Sequence, residues 1–345
     1  MPEYYDGTKL LSLLDINGEK PEIYLCTTNR SAGKTTYFGR LLCNRFRRDG
    51  SKFALIYRYN YELDDVADKF YKDIGSLFFP GTTMTSKRLA SGIFHELSID
   101  GNPCGYAISL NSADQLKKYS HLFSDVQSML MDEFQSETNH YCPQEVRKLL
   151  SVHTSIARGQ GKQTRYVPLY MIGNPVSILN PYYTALGITD RLRENTRFLR
   201  GDGWVLEQGF NESASAAQKG SAFNRAFASE SYVAYAAQNV YLNDNSAFVE
   251  KLTGRTVYLV TLRYEGQDYA IRSFPDQGVI YCDNRPDVTF PGRISVTTED
   301  HRINYVMLKR SDAFLRNLRD YFDHGSMRFR NLRCKEAVLK ALSYL

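Results

Sequence analysis

The sequence predicts an α/β fold, a mostly parallel sheet with helices on both faces, followed by a smaller α+β domain. Strand-like runs alternate with amphipathic helices as far as residue 195, which is typical of a parallel sheet. A stretch rich in Gly, Ser, Ala and Asn follows, and then come three strand-like runs separated by turn signals. Because 345 residues are long for one core, we predict a first domain over 1–197, a linker over 198–229 and a C-terminal domain over 230–345.

The composition is that of a globular protein with a basic C-terminal region. Hydrophobic residues make up 43% of the chain and charged residues 23%, which is enough apolar material for buried cores. The net charge is +5, and residues 285–345 alone hold 12 Lys/Arg against 7 Asp/Glu, a surplus of five. Such a region suggests an acidic partner such as nucleic acid. A solvated helix face is the alternative.

The cysteines and the N-terminus indicate a soluble protein of a reducing compartment. The six cysteines are scattered and form no C-x-x-C pair, so neither a disulfide framework nor a zinc site is expected. The start of the chain lacks the basic residues and long apolar run of a signal peptide. No apolar run approaches the ~20 residues that a membrane helix needs.

The predicted elements of the first domain alternate in type. The strands are read from apolar, β-branched and aromatic runs, and the helices from apolar residues that share one helical face. In chain order we predict strand 21–28, a helix from Gly33 to Gly50, strand 52–59, helix 62–78, a hairpin around "IDGNPCG", strand 126–134, helix 143–161 and strand 165–174.

The C-terminal domain begins with strands and ends with helices. Residues 256–283 read as three antiparallel strands joined at "EGQ" and "PDQG". Helical spacing follows over 311–322 and again near the C-terminus.

The loop between the first strand and the first helix has the residues of a phosphate-binding loop. Gly33 allows close approach of the backbone, Lys34 would reach the β- and γ-phosphates, and the Thr35 hydroxyl would coordinate Mg²⁺. Thr28 stands where the opening glycine is usual, and it can serve if its backbone stays β-like. We expect ATP to be bound by Thr28, Asn29, Arg30, Ser31, Ala32, Gly33, Lys34, Thr35 and Thr36.

Two of these assignments have plain alternatives. The Gly-Lys-Thr tripeptide could close a tight strand-to-helix turn with an exposed lysine. Arg30, inside the loop, could touch the γ-phosphate or couple it to a neighbouring element, and an ordinary exposed loop arginine is equally consistent with the sequence.

Two acids support the nucleotide hypothesis. Asp132 and Glu133 follow a buried strand, and ligands of open α/β sheets bind at the carboxyl ends of strands. Asp132 would hold Mg²⁺ as a Walker B aspartate does, and Glu133 would act as general base on the attacking water. Asn174 ends the next strand, where a polar sensor of the γ-phosphate is expected; an asparagine in a turn is the alternative. This pattern is typical of additional-strand, catalytic-glutamate (RecA-like) P-loop ATPases.

Taken together, the motifs resemble those of one family, the DNA packaging ATPases of small podoviruses of the phi-29-like type. The resemblance is carried by "TTNRSAGKTTYF", "KFALIYRY", "SMLMDEF", "PQEVRKLL" and "GNPVSILNPYY", and it continues into "FVEKLTGRTVYLVTLRYEG" and "GVIYCD". It implies a ring of subunits, pentameric in this family, that hydrolyses MgATP to move double-stranded DNA through a portal into a prohead. It also implies a location in the host cytoplasm, docked on the prohead, with a structural RNA as a possible further partner.

The resemblance also implies roles for basic residues. Arg158 matches the position of an arginine finger that acts on ATP of the neighbouring subunit, with Lys162 and Arg165 as competitors for that role. The loop with Arg58, Tyr59 and Asn60 would approach DNA, although Asn60 stands where relatives are expected to have lysine. Arg58, Tyr59 and Tyr61 could contact phosphate or sugar, and aromatic packing at a strand edge is the alternative for each of them. In the basic tail, Arg328, Arg330 and Arg333 would contact DNA, the portal or RNA.

The C-terminal domain resembles the ribonuclease-H-like nuclease domain of large terminases, in a vestigial form. Cleavage with two metals needs several converging carboxylates. Asp268, Asp276, Asp283 and Asp287 lie mostly in predicted turns, so we expect no nuclease activity. The alternatives are a terminase-type motor that also cuts DNA and a non-hydrolysing nucleic-acid-binding scaffold.

Overall fold

The structure is a computed structural model, and the chain divides into two compact units, Met1–Asn243 and Asp244–Leu345. The described residues are 4–138, 140–189, 191–192, 196–228, 232–233, 236, 248–308 and 312–343. No helix within these ranges is long and apolar enough to cross a membrane.

The first unit is built on a nine-stranded sheet with the order β3-β4-β5-β2-β6-β7-β1-β9-β8. The strands are β1 (Ile23–Thr27), β2 (Lys52–Tyr57), β3 (Met84–Leu89), β4 (Phe94–Ile99), β5 (Asn102–Ser109), β6 (Val126–Asp132), β7 (Leu169–Gly173), β8 (Phe198–Gly201) and β9 (Trp204–Gln208). The central run from β5 to β9 is parallel, and β3, β4 and β8 are antiparallel to their neighbours at the edges. The predicted fold class, a mostly parallel sheet, is confirmed.

Helices cover both faces of this sheet. They are α1 (Thr8–Ser12), α2 (Lys34–Asp49), α3 (Val66–Phe78), α4 (Ala113–Leu116), α5 (Glu145–Ile156), α6 (Pro181–Ala185), α7 (Glu212–Gly220) and α8 (Ala222–Ala226). Because strand side chains alternate between faces, two hydrophobic cores form. The core on one face includes residues of α2 and α3, and the core on the other includes residues of α4 and α5.

The order of the central strands brings the predicted site residues to one edge. β7 lies between β1 and β6, as the inserted strand does in the predicted additional-strand sheet. Since β1, β6 and β7 are parallel, their carboxyl ends meet at the same edge. The phosphate-type loop, Asp132 and Asn174 therefore lie at the carboxyl ends of three adjacent strands.

Local sequence explains where these elements begin and end. α2 starts after Gly33 and stops at Gly50, and both glycines have a left-handed φ, of 93° and 74°. The hairpin between β4 and β5 turns at Asp100 and Gly101, which also have positive φ, as a two-residue Asp-Gly turn requires. α5 is shorter than predicted and ends at Ile156.

The predicted linker over 198–229 is wrong for its first part. Residues 198–208 form β8 and β9, and β9 pairs in parallel with β1, so this segment belongs to the sheet. The two strands are joined by a turn at Asp202 and Gly203, within the glycine-rich stretch that was predicted to be a linker. The first compact unit extends to Asn243, well past the predicted boundary at 197.

The second unit contains a six-stranded sheet of order β14-β13-β10-β11-β12-β15. Its elements are β10 (Val257–Tyr264), β11 (Gln267–Phe274), β12 (Val279–Asp283), β13 (Arg293–Ser295), β14 (Val306–Met307), α9 (Ala313–Asp323), β15 (Met327–Phe329) and α10 (Leu332–Leu342). The three predicted antiparallel strands are β10 to β12. β13 to β15 were not predicted. The predicted helix start at 311 lies outside the described residues, and α9 begins after the N-cap Asp312.

Candidate nucleotide site

The loop that follows β1 has the backbone shape of an anion-binding loop. Ser31 and Gly33 have left-handed φ values of 61° and 93°, whereas Thr28 has a negative φ. Thr28 is fully buried, and its amide donates to the carbonyl of Gly173 at 3.3 Å. Glycine is therefore required at Gly33 and dispensable at Thr28, which answers how the loop forms without its opening glycine.

The loop leaves the start of α2 open. Gly33 is the N-cap of this helix and offers no side chain to the first turn. The amides of the first turn have no intrahelical acceptor, and the helix dipole makes this end favourable for an anion. Loop and helix together form a site suited to phosphate oxygens.

Lys34 is 7% exposed and lies at the centre of the site. Its Nζ donates to Oδ1 of Asn174 at 2.5 Å, so the helix residue and the end of β7 are already joined. Burial lowers the pKa of the Lys34 ammonium, and the nearby Asp132 carboxylate opposes this shift. A buried cation with a neutral amide as its hydrogen-bond partner is well suited to receive an anion.

Thr35 and Asp132 meet beside Lys34. The Thr35 hydroxyl donates to Oδ2 of Asp132 at 2.9 Å, and Oδ1 of Asp132 accepts the Glu133 amide at 2.8 Å. Burial raises the pKa of Asp132, and the Lys34 ammonium opposes the shift. Hydroxyl and carboxylate oxygens are the donors that Mg²⁺ prefers, so this pair fits that ion. Among the described residues, no group of three or more His, Cys, Asp and Glu side chains forms a separate metal site.

Glu133 has a strained backbone. Its φ is 53°, in the left-handed region, a conformation that costs a non-glycine residue on the order of 1–3 kcal/mol. Its side chain is accessible at the surface of the site. Partial desolvation, and then the carboxylates of Asp132 and Glu137, raise the pKa of Glu133.

Arg58 holds this strained turn from below. Its Nη1 donates to the carbonyl of Glu133 at 2.7 Å, and its Nη2 donates to the carbonyl of Phe134. Its Nε faces Glu145 in a buried ion pair of 3.1 Å. The prediction that Arg58 contacts DNA is wrong for this structure, because its guanidinium is buried and hydrogen-bonded within the unit.

The rest of the predicted DNA loop remains at the surface. The rings of Tyr59 and Tyr61 stack with centroids 5.5 Å apart, and Tyr61 is 69% exposed. Asn60 is exposed, and its Oδ1 accepts the Ser112 hydroxyl at 2.8 Å.

Sequence reasoning missed the network below Arg58. Glu145 accepts the Tyr182 hydroxyl at 2.6 Å and the Cys142 amide at 2.7 Å, in addition to Arg58. A glutamate in the first turn of a helix reads as a surface residue, and only the packing shows that it is buried. This network holds the Arg58 side chain in the position from which it contacts the Glu133 turn.

A second missed feature is the set of contacts that the segment 211–236 makes with the loop. Asn29 donates from Nδ2 to the carbonyl of Asn211 at 3.0 Å, and its Oδ1 accepts the Asn211 amide at 2.9 Å. The Ser31 hydroxyl accepts from Gln218 Nε2 at 3.2 Å. The amide of Arg30 donates to the carbonyl of Ala236 at 3.1 Å.

Arg30 itself points to a neighbouring acid. Its Nη1 is paired with Glu137 and also donates to the Tyr232 hydroxyl. Arg30 is therefore half-buried and paired with an acid four residues beyond Glu133, unlike an ordinary exposed loop arginine. Its contact with the γ-phosphate stays a prediction.

The three candidates for an arginine finger lie away from the loop of their own chain. Arg158 follows α5, which has 12 residues, and at 1.5 Å per residue the helix spans about 18 Å from the Glu133 edge of the sheet. Arg158 is exposed and donates to the Ser120 hydroxyl at 2.7 Å, and Lys162 is exposed. Arg165 is buried and donates to the carbonyls of Val126 and Ile156, so it is excluded.

In the second unit, many predicted functional side chains are engaged internally. Arg328 forms a 2.6 Å ion pair with Glu250, and Arg330 and Arg333 are half-buried. Asp268 pairs with Arg263 at 2.8 Å, and Asp283 pairs with Arg272 at 2.9 Å. Asp276 and Asp287 lie outside the strands of this sheet.

Known proteins resemble this chain over most of its length. The DNA packaging protein of Bacillus phage phi29 is 26% identical over 306 residues, which cover 88% of this chain and 87% of that protein. The DNA packaging protein of Bacillus phage B103 is 25% identical over 306 residues, covering 88% and 90%.

A solved structure shares the fold. A chain of the bacteriophage Phi-29 viral genome packaging motor assembly aligns with a TM-score of 0.69 at 23% identity, covering 99% of this chain and 98% of that one. A family model described as Podovirus DNA encapsidation protein (Gp16) matches residues 3–343. Because that match spans nearly the whole sequence, the chain belongs to the Podovirus DNA encapsidation protein (Gp16) family.

Proposed function

We propose that this protein is the ATPase of a viral DNA packaging motor, which uses MgATP hydrolysis to drive double-stranded DNA into a prohead. The observation that carries the proposal is the convergence of Lys34, Thr35, Asp132 and Asn174, with Glu133 beside them, at the carboxyl edge of β1, β6 and β7. These residue types in this order are those of a P-loop hydrolase.

Each side chain has a role that follows from its present contacts. Lys34 would exchange the amide of Asn174 for the phosphates, which frees Asn174 to hydrogen-bond the γ-phosphate. Thr35 and Asp132 would hold Mg²⁺, the ion that neutralises phosphate charge. Glu133 would take the proton of the attacking water, and its desolvation favours proton acceptance.

The arginine finger would come from a neighbouring subunit of a homo-oligomeric ring, pentameric in related motors. Arg158 is the first candidate because it is exposed and lies about one helix length from the loop of its own chain. A guanidinium at the γ-phosphate is worth about 10³–10⁵ in rate. Lys162 is the remaining competitor.

DNA would be held by its backbone, without reading of sequence. In the first unit Tyr59, Asn60 and Tyr61 lie at the surface of the loop that precedes α3. In the second unit the half-buried Arg330 and Arg333 of the basic tail would contact DNA, the portal or a structural RNA. We propose that this unit is not a nuclease, since Asp268 and Asp283 are neutralised by arginines. The protein would act in the host cytoplasm, docked on the prohead.

ATP hydrolysis by the purified protein, with and without double-stranded DNA, tests the proposal. We expect turnover stimulated by DNA that is abolished in Lys34→Ala and in Glu133→Gln. Lys118→Ala, which removes an exposed lysine, is the matched control and should hydrolyse ATP normally. Normal turnover in both site variants would overturn the proposed mechanism.

A further inference from the structure

A second basic cleft lies at the opposite edge of the main sheet. It has a volume of about 340 Å³ and is lined by Lys20, Tyr24, Arg45, Arg48, Tyr166 and Tyr170, among others. Tyr24 and Tyr170 are register partners near the amino ends of β1 and β7. β1 has five residues, so this edge lies about 16 Å from the phosphate-type loop. The nucleotide site described above does not use it.

Two of the three basic side chains that line this cleft lack a matching acid among the described residues. Arg45 donates from Nη1 to the Tyr170 hydroxyl at 2.8 Å, and Lys20 lies 4.6 Å from the Tyr166 ring centroid. In the part of the chain that the structure describes, neither Arg45 nor Lys20 has a carboxylate within ion-pair distance, whereas Arg48 pairs with Asp49 at 2.6 Å. The lining includes no acidic side chain. A half-buried guanidinium in such a setting favours an anion.

The position of Arg45 is not explained by stabilisation of the α2 helix dipole. Basic side chains in the last turn of a helix stabilise the negative end of its dipole, and Arg47 and Arg48 hold those positions. Arg45 lies earlier in the helix and is turned toward the sheet edge, where it contacts Tyr170.

The aromatic wall of the cleft is fixed in place. The Tyr166 hydroxyl donates to the carbonyl of Pro21 at 2.8 Å, while the side chain stays 41% exposed. A tyrosine anchored at its hydroxyl offers a preorganised surface against which a flat base can pack. Polar groups from Ser51, Gln127 and Ser128 complete the rim.

We propose that this cleft binds a nucleoside phosphate, with the phosphate held by Arg45, Arg48 and Lys20 and the base against Tyr166. The chemistry is the same whether the nucleotide is free or is one unit of a single strand. The site is independent of ATP hydrolysis, so it can exist whether or not the proposed motor function is correct.

Equilibrium binding to the full-length Lys34→Ala protein tests the proposal, since this variant removes the lysine of the loop site. AMP and a ten-residue single-stranded oligonucleotide are titrated separately by fluorescence competition. We expect saturable binding of at least one of them, weakened about tenfold or more by Arg45→Gln, because a charged hydrogen bond to phosphate is lost. Binding of AMP would identify the free nucleotide, and binding of the oligonucleotide alone would identify the strand.

Two controls make the result decisive. Arg47→Gln changes an arginine of the same helix that contacts Thr82 on another side, and it should leave binding unchanged. Tyr166→Leu should weaken the binding of AMP, and the affinity for inorganic phosphate, measured by competition, should stay the same. The proposal is overturned by an absence of saturable binding, by equal loss in the Arg45 and Arg47 variants, or by inorganic phosphate competing as well as AMP.

Discussion

At the scale of single residues, the hydrogen bonds from Arg58 hold the backbone of Glu133 in place at the candidate site. Glu133 follows Asp132 and has a positive φ. The Arg58 guanidinium donates to the carbonyl oxygens of Glu133 and Phe134. The charge of Arg58 is balanced by Glu145 below it. A residue predicted to touch DNA therefore holds the turn that carries Glu133, the proposed general base.

Arg58→Met should impair both folding and hydrolysis. Removing one partner of a buried ion pair costs about 3–5 kcal/mol, because the charge of Glu145 is left without its counter-ion. Urea denaturation measures the loss of stability, and steady-state ATP hydrolysis measures the loss of turnover.

The double variant Arg58→Met with Glu145→Gln separates these two effects. It removes both charges, so stability should partly recover, whereas turnover should stay low because the two carbonyl contacts are still missing. Wild-type turnover in this double variant would show that Arg58 does not position Glu133.

Gly33→Ala should abolish nucleotide binding. Gly33 has a φ of 93°, which strains any residue with a Cβ, and a Cβ built there lies 2.8 Å from the Tyr4 ring, so the loop or the exposed Tyr4 side chain must shift. Gly50→Ala is the matched control, since its φ is 74° but the space around it is open.

Both glycine variants should lose about 1–2 kcal/mol of stability from left-handed strain. Titration with a fluorescent ATP analogue should show loss of binding in the Gly33 variant alone. Equal binding by both variants would mean that the loop shape is not needed for nucleotide.

At the scale of elements, the helices and strands were predicted best where the local sequence pattern agrees with the pairing of the segment in the sheet. β1, α2 and β6 carry apolar runs, a positive-φ glycine at each end of the helix and polar residues at the strand ends, and all three form close to the predicted bounds. The meeting of Lys34, Thr35 and Asp132 then follows from parallel pairing alone.

The elements that were missed depend on partners distant in sequence. β9 is a strand because β1 offers it an edge, and β13 to β15 have only two or three residues each. Arg58, Glu145 and Arg165 carry no local sign of burial, since charged residues are usually exposed. Tertiary packing assigns their roles.

The contact between Asn29 and Asn211 predicts a coupling between the loop and the segment that begins with α7. Asn29→Ala removes two hydrogen bonds, which are worth about 0.5–1.5 kcal/mol each. We expect weaker ATP binding and faster amide hydrogen exchange in α7.

Gln218→Ala removes one hydrogen bond to Ser31 of the loop and one from Asn224 of α8. It should weaken ATP binding less than Asn29→Ala does, because only one of its two bonds reaches the loop. Unchanged exchange in α7 of the Asn29 variant would contradict the coupling.

At the scale of the whole molecule, the proposed ATP site and the proposed arginine finger lie at different places in the same chain. Most residues that would handle ATP lie at the carboxyl edge of the sheet, whereas Arg158 follows the far end of α5. On the proposal that Arg158 acts on ATP of a neighbouring subunit, each chain supplies parts of two catalytic sites on opposite sides, and a closed ring would complete all of the sites.

Mixing wild-type protein with Arg158→Ala, and measuring ATP hydrolysis with and without double-stranded DNA, tests the ring motor most directly. We expect DNA-stimulated turnover that falls faster than the fraction of wild-type protein, because each variant subunit also impairs its neighbour. Lys162→Ala, mixed in the same ratios, should cause at most a proportional loss. Turnover that is unaffected by DNA and declines in simple proportion to the Arg158 variant would contradict the ring motor.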